Sequence, residues 1–79
     1  MRVLFFAQLK DATGCDSIEL APPAPLNQGE LWKILVEKFP ALAKHQKNVR
    51  VARNWEYAGP ETVLAGEDEI ALIPPVSGG

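Results

Sequence analysis

The segment EIALI (residues 69–73) decides the fold, because it is short, β-prone and apolar on both faces. Alternation along a strand places Ile70 and Leu72 on one face and the remaining apolar residues on the other. A strand with two apolar faces is typical of the centre of a sheet, where both sides are covered. The prolines at positions 74–75 cannot donate to a ladder, so we expect the strand to end before them.

A second strand of the same kind opens the chain at residues 2–9 (RVLFFAQL). Its faces are again both apolar, with Val3 and Phe5 on one side and Leu4 and Phe6 on the other. We therefore place the first and last strands side by side at the centre of one sheet. They would run parallel, joined through the rest of the chain.

Between these strands the sequence predicts one main helix. Asn27 is a good N-cap residue, and Glu30 three positions later completes a capping box. Apolar residues then follow the i, i+3, i+4, i+7 spacing of an amphipathic helix until Pro40 ends it.

The remaining segments are short. After a turn around Thr13 and Gly14, residues 17–20 (SIEL) form an antiparallel second strand. Later segments are expected as further helical turns (41–47), a strand (49–53), a turn (54–56), a short strand (57–58), a helical turn (61–65) and a last turn (66–68).

This order predicts an α+β fold in which one main helix packs across a mixed sheet of four to five strands. The arrangement is known as β-grasp, or ubiquitin-like. We assign residues 1–73 to the β-grasp domain and residues 74–79 to an extended, flexible C-terminal Gly-Gly tail.

The tail PPVSGG (residues 74–79) is the first candidate for chemistry. A Pro-Pro pair favours an extended polyproline II path that points away from the body. Gly78 would supply clearance in a narrow tunnel, and the Gly79 carboxylate would be the group offered to a partner's active site. The alternative is an inert, frayed terminus.

Composition excludes several other functions. The chain has 79 residues and a net charge of −2, which does not suit nucleic-acid binding through phosphate contacts. The single Cys15 cannot form an internal disulfide, which suits a reducing cytoplasm, and no apolar run is long enough to span a bilayer. With His45 as the one histidine, we expect neither a metal site nor a catalytic triad.

An apolar patch is expected on the sheet face opposite the helix. Phe6 and Ile73 lie on that face in the predicted alternation, and Tyr57 joins them from its short strand. A domain this small has no second layer to cover the patch, which favours a protein interface; a larger core is the alternative.

The basic segment between Lys44 and Arg53 is either a solvated surface or a docking patch for an acidic partner.

These residues carry a family resemblance. The ending GEDEIALIPPVSGG (residues 66–79) resembles the C-terminus of the small, sulfur-carrying subunit of molybdopterin synthase. The opening VLFFA (residues 3–7) and the turn NWEY (residues 54–57) are also similar, so the resemblance covers essentially the whole chain. Cys15 and the bulky Trp55 depart from the family's pattern.

The resemblance implies that an ATP-dependent activating adenylyltransferase adenylates the Gly79 carboxylate, which then becomes a thiocarboxylate with sulfur from a donor protein. The tail would insert into the large synthase subunit, in a heterotetramer, and give its sulfur to the pterin precursor of the molybdenum cofactor. The chain would be non-catalytic by itself and would hold no permanent cofactor. The implied contacts of the large subunit are Phe6, Tyr57, Ile73, Pro74, Pro75 and Val76.

Three alternatives stay open. The first is a sulfur carrier for another pathway, such as the thiazole of thiamine, although the Pro-Pro-Val before the glycines argues against this. The chain would otherwise be a ubiquitin-like modifier joined to target lysines through Gly79, or an interaction module with an inert tail.

Overall fold

The computed structural model describes residues 1–22 and 24–75. Over these residues the chain contains five strands, two α-helices and one 3₁₀ segment. In chain order they are β1 (Arg2–Phe5), α1 (Gln8–Thr13), β2 (Ser17–Glu19), α2 (Gln28–Lys38), the 3₁₀ segment (Pro40–Asn48), β3 (Arg50–Arg53), β4 (Glu56–Tyr57) and β5 (Glu69–Ile73). The predictions made for Val76, Gly78 and Gly79 lie outside the described residues.

The five strands form one mixed sheet in the order β2-β1-β5-β3-β4. The first and last strands are parallel neighbours at its centre, with Arg2 opposite Glu69 and Phe5 opposite Leu72. The other pairings are antiparallel. The central placement inferred from the two-sided apolar pattern is confirmed, and β5 ends at Ile73, directly before the prolines, as predicted.

Helix α2 packs across one face of the sheet. It begins with the predicted capping box, in which the Glu30 backbone N–H donates to Asn27 Oδ1 at 2.9 Å and the Asn27 N–H donates to Glu30 Oε1 at 3.0 Å. The buried core joins helix residues to the inner face of the central strands; it includes Val3, Phe5, Leu31, Leu35, Ile70 and Leu72. The α+β architecture is therefore as predicted.

The first strand is shorter than predicted. The backbone N–H of Phe5 makes the last bond to the β2 side, to Asp16 O at 2.8 Å, and the chain then turns into α1. Ala7 takes a φ of 50°, an uncommon conformation for alanine, and Leu9 becomes a fully buried helical residue. The predicted turn after residue 9 is thus largely helix, closed by Gly14 at a φ of 77°.

The helical turn predicted at residues 61–65 is wrong. Leu64 instead exchanges two backbone hydrogen bonds with Leu26, at 2.7 and 2.8 Å, which form an isolated antiparallel bridge. The Leu64 side chain is fully buried, whereas Val63 is 55% exposed. A partner distant in sequence satisfies this backbone, so no local helix forms.

Within residues 1–22 and 24–75, neither helix has the length and apolar content that crossing a membrane requires. The same residues contain no cluster of histidine, cysteine and acidic side chains that would hold a metal ion.

Candidate functional site

The candidate site is the side of the sheet opposite α2, which we call the outer face. The strand register places Leu4, Ala71, Ala52 and Tyr57 in one row across β1, β5, β3 and β4. The two alanines are only 1–2% exposed although they lie on this face. Small side chains therefore form the centre of the outer face, and larger ones stand around them.

One group of these larger residues surrounds the point where the tail leaves the sheet. Tyr57 is 65% exposed, and the Arg50 guanidinium carbon lies 5.0 Å from its ring centroid, within cation–π range. A groove of about 270 Å³ is lined here by Asn48, Arg50, Tyr57, Ile73, Pro74 and Pro75. We call it the tail-root groove. It brings together four of the residues proposed from sequence as partner contacts.

Phe6, the fifth described candidate, belongs to a second group on the same face. It follows the end of β1, is 38% exposed and lies next to Trp55, with 6.4 Å between ring centroids. Trp55 is itself 62% exposed. Sequence reasoning noted Trp55 only as a departure from a family pattern, because nothing in a turn sequence tells which way an indole points.

Trp55 is held by the tight turn between β3 and β4. Asn54 and Trp55 have φ values of 51° and 69°, so both central turn residues are left-handed, as in a type I′ hairpin. The turn is narrower than predicted, since β4 already begins at Glu56.

Four hydrogen bonds tie this turn to the start of β5, and we call them the turn clamp. The Asn54 N–H donates to Glu69 O at 2.7 Å, and the Glu69 N–H donates to Asn54 Oδ1 at 3.0 Å. Asn54 Nδ2 donates to Asp68 Oδ1 at 3.1 Å, and Trp55 Nε1 donates to Glu69 Oε1 at 2.7 Å. The turn and the indole are therefore fixed to the central strand.

Asp68 links the turn clamp to the preceding loop. Its Oδ2 accepts the Ala65 N–H at 2.9 Å, and this bond is the main reason that the pKa of the Asp68 carboxyl lies below its usual value. Partial burial acts against this shift, while the Asn54 amide and the positive charge of Arg53 support it. The carboxylate is thus stabilised in the form that the clamp requires.

The basic segment expected between Lys44 and Arg53 does not form a single patch. Arg50 lies on the outer face over Tyr57, whereas Arg53 is three positions along the strand and so points to the opposite side. There its Nη1 donates to Val63 O at 2.9 Å. The basic residues before β3 lie on the separate 3₁₀ segment.

A sequence model of the ThiS family matches residues 3–79. The chain belongs to the ThiS family. Curated relatives named molybdopterin synthase sulfur carrier subunit match it over its full length. The Caenorhabditis briggsae protein is 40% identical and 96% of it is covered, and the Homo sapiens protein is 37% identical and 93% covered.

Solved structures place this ThiS-family chain among ubiquitin-like β-grasp proteins. SAMP1 of Haloferax volcanii superposes with a TM-score of 0.83 at 30% identity, covering 99% of this chain and 97% of SAMP1. A complex of subunits 1 and 2 of the Helicobacter pylori molybdopterin-converting factor contains a chain with a TM-score of 0.70 at 28% identity, with 99% and 96% covered. The fold and the resemblance to molybdopterin synthase sulfur carriers are confirmed.

Proposed function

We propose that this ThiS-family protein is the sulfur carrier subunit of a molybdopterin synthase and acts in the cytoplasm. The observation that carries the proposal is its full-length similarity, at 40% identity, to a relative bearing that name. The Gly79 carboxylate is the sulfur-bearing group in this proposal, and Gly78 gives the tail its clearance.

The chemistry proceeds in three displacements on the partners. In the activating adenylyltransferase, a carboxylate oxygen of Gly79 attacks the α-phosphorus of ATP and pyrophosphate leaves. The terminal sulfur of a persulfide on a donor protein then attacks the acyl carbon of the adenylate and AMP leaves, which gives an acyl disulfide. A thiolate next attacks the donor's sulfur in this disulfide, so that a new disulfide forms on the donor side and the Gly79 thiocarboxylate leaves. Adenylation is needed because a free carboxylate is a poor electrophile. The folded domain itself needs neither ATP nor a metal for these steps.

The folded domain serves to position the tail. Pro74 and Pro75 line the tail-root groove, and the exposed rings of Phe6 and Tyr57 on the same face are available to a partner. Docking through this face would hold the thiocarboxylate in the large subunit. Sulfur transfer would then take place within one complex and no longer depend on a bimolecular collision. The Helicobacter pylori complex of subunits 1 and 2 supports a large subunit as this partner. We further propose that the two subunits assemble as a heterotetramer.

Intact-mass measurement tests the proposal. After incubation with the cognate activating enzyme, ATP and a sulfur donor, we expect the mass gain of one oxygen-to-sulfur exchange. Deleting Gly79 should abolish the gain and leave the melting temperature unchanged, because the tail follows the last strand. If the mass of the full chain stays unchanged while the same enzyme loads another carrier in a parallel reaction, this protein does not carry sulfur.

The molecule that accepts sulfur from the Gly79 thiocarboxylate identifies the pathway that the carrier serves. Thiocarboxylated protein mixed with the large synthase subunit and the pterin precursor should return to the carboxylate mass as sulfur is transferred. If the thiocarboxylate stays intact there but is consumed by a thiazole-forming system, the carrier belongs to thiamine synthesis.

A second function is supported by one of the structural relatives. SAMP1 is the small archaeal modifier protein 1 of Haloferax volcanii, and it shares 30% identity and nearly full coverage with this chain. The same activation of Gly79 would permit an amide bond to a lysine of a target protein. Higher-mass adducts of cell proteins that disappear on deletion of Gly79 would indicate this modifier function.

A further inference from the structure

Trp55 occupies a position that does not favour a bulky side chain. At a φ of 69° it is the second central residue of a two-residue hairpin turn, where glycine is preferred. A residue with a Cβ costs about 1–2 kcal/mol in the left-handed region relative to the right-handed one. A tryptophan there carries this cost while most of its surface stays exposed. Packing within the domain therefore does not explain why a tryptophan stands at position 55.

The indole is nevertheless held in place. Its Nε1–H donates to the Glu69 carboxylate at 2.7 Å, and its ring lies against Phe6 with 6.4 Å between centroids. The backbone on which it sits is fixed by Asn54 through the turn clamp. An aromatic side chain immobilised before binding loses little conformational entropy when a partner covers it. Such a residue has the properties of a binding hot spot.

We propose that Trp55 is a preorganised anchor that inserts into an apolar pocket of the large synthase subunit. This inference rests on the proposed function, since it names the partner of the same outer face. The Phe6 ring joins Trp55 to the face that carries the tail root, so one partner covers both.

The surroundings of the ring specify the chemistry of the pocket. The indole N–H is already bonded to Glu69, so the pocket needs no hydrogen-bond acceptor and its floor is apolar. Asp68 and Glu69 contact the turn through hydrogen bonds and place negative charge beside the indole. The large subunit is therefore expected to place lysine or arginine side chains at the edge of the pocket.

The first test is Trp55→Gly. Glycine accepts the left-handed turn, so the melting temperature should stay equal or rise, while the affinity for the cognate large subunit falls about 30-fold or more. The loss should lie mainly in the dissociation rate, because the charges that guide encounter are unchanged.

A pair of Glu69 variants tests whether the indole must be held in place before binding, separately from the contact that it makes with the partner. Glu69→Ala removes the acceptor of the indole N–H and should weaken binding about 3- to 10-fold. Glu69→Gln keeps an acceptor without the charge and should restore the slow dissociation. If both variants bind alike, the indole hydrogen bond does not prepare the anchor.

Labelling the carrier with fluorotryptophan gives a direct readout, because the partner then contributes no signal. Trp32 is buried in the core and serves as the internal reference, whereas the Trp55 resonance should shift and become protected when the large subunit binds.

Wild-type affinity in Trp55→Gly together with an unmoved Trp55 resonance would overturn the anchor. Sulfur loading at Gly79, measured by mass, would still support the carrier function in that case. A wild-type chain that neither gains sulfur nor binds the large subunit would overturn the proposed function and this inference with it.

Discussion

Replacing Asn54 with alanine is expected to destabilise the domain by about 2 kcal/mol. Asn54 makes two side-chain hydrogen bonds in the turn clamp, to Asp68 and from Glu69. Both are exposed to solvent, so each contributes about 0.5 kcal/mol, at the lower end of the usual range. The φ of 51° adds about 1 kcal/mol, because asparagine tolerates this region better than alanine does.

Asn54→Gly is the matched variant that separates these two contributions. Glycine also lacks the side-chain bonds but adopts the left-handed conformation without a steric penalty. We therefore expect it to lose about 1 kcal/mol, roughly half of the loss of the alanine variant.

Thermal and urea unfolding followed by circular dichroism measure both variants. For a domain of this size, about 1 kcal/mol corresponds to a fall of roughly 4–8 °C in melting temperature. Equal stability of the alanine and glycine variants would refute the contribution of backbone strain. Wild-type stability in both would show that the turn clamp does not stabilise the fold.

Three further predictions concern pH, the core and docking. Because the pKa of Asp68 is depressed on folding, its contribution to stability is complete above the unfolded pKa near 3.8 and is lost as pH falls through the lower folded value. Acid titration of unfolding should show this loss, and Asp68→Asn should remove it; an identical acid profile would refute the link. Leu72→Ala should cost about 2–5 kcal/mol and leave little folded protein, while Ile70→Val costs about 0.5–1.5 kcal/mol, both checked by urea unfolding. Comparable losses from the two would mean that the core is not packed as described. Phe6→Asp should weaken binding of the large subunit in calorimetry, whereas Val63→Asp, an exposed apolar residue in the loop that Arg53 contacts away from the outer face, should not. Equal effects of the two would remove Phe6 from the interface.

Sequence patterns predicted the elements whose cause is local. The capping box of α2 involves residues three positions apart, and the two-sided apolar pattern of β5 describes a strand covered on both faces. Helix α1 was missed because the apolar, β-prone run continues to Leu9. The strand ends at Phe5 because the neighbouring strand supplies no further backbone partner, which alternation within one segment cannot show.

The same limit applies to the candidate site. Alternation correctly placed Ile73 on the outer face, and the structure adds that Pro74 and Pro75 share a groove with Tyr57 and Arg50. The groove joins three segments from separate parts of the chain. Their proximity depends on the pairing of β3 with β5, which are distant in the chain. Alternation within one segment does not specify which strand it pairs with.

By itself, the sequence determined the α+β class, the central pair of parallel strands, the start of the main helix and the proline stop before the Gly-Gly tail. These follow from side-chain periodicity and from backbone chemistry within a few residues. The position of Trp55 was decided only by the tertiary structure. The indole is held over the outer face by a carboxylate fourteen residues away, and this contact exists only when β3 and β5 are paired.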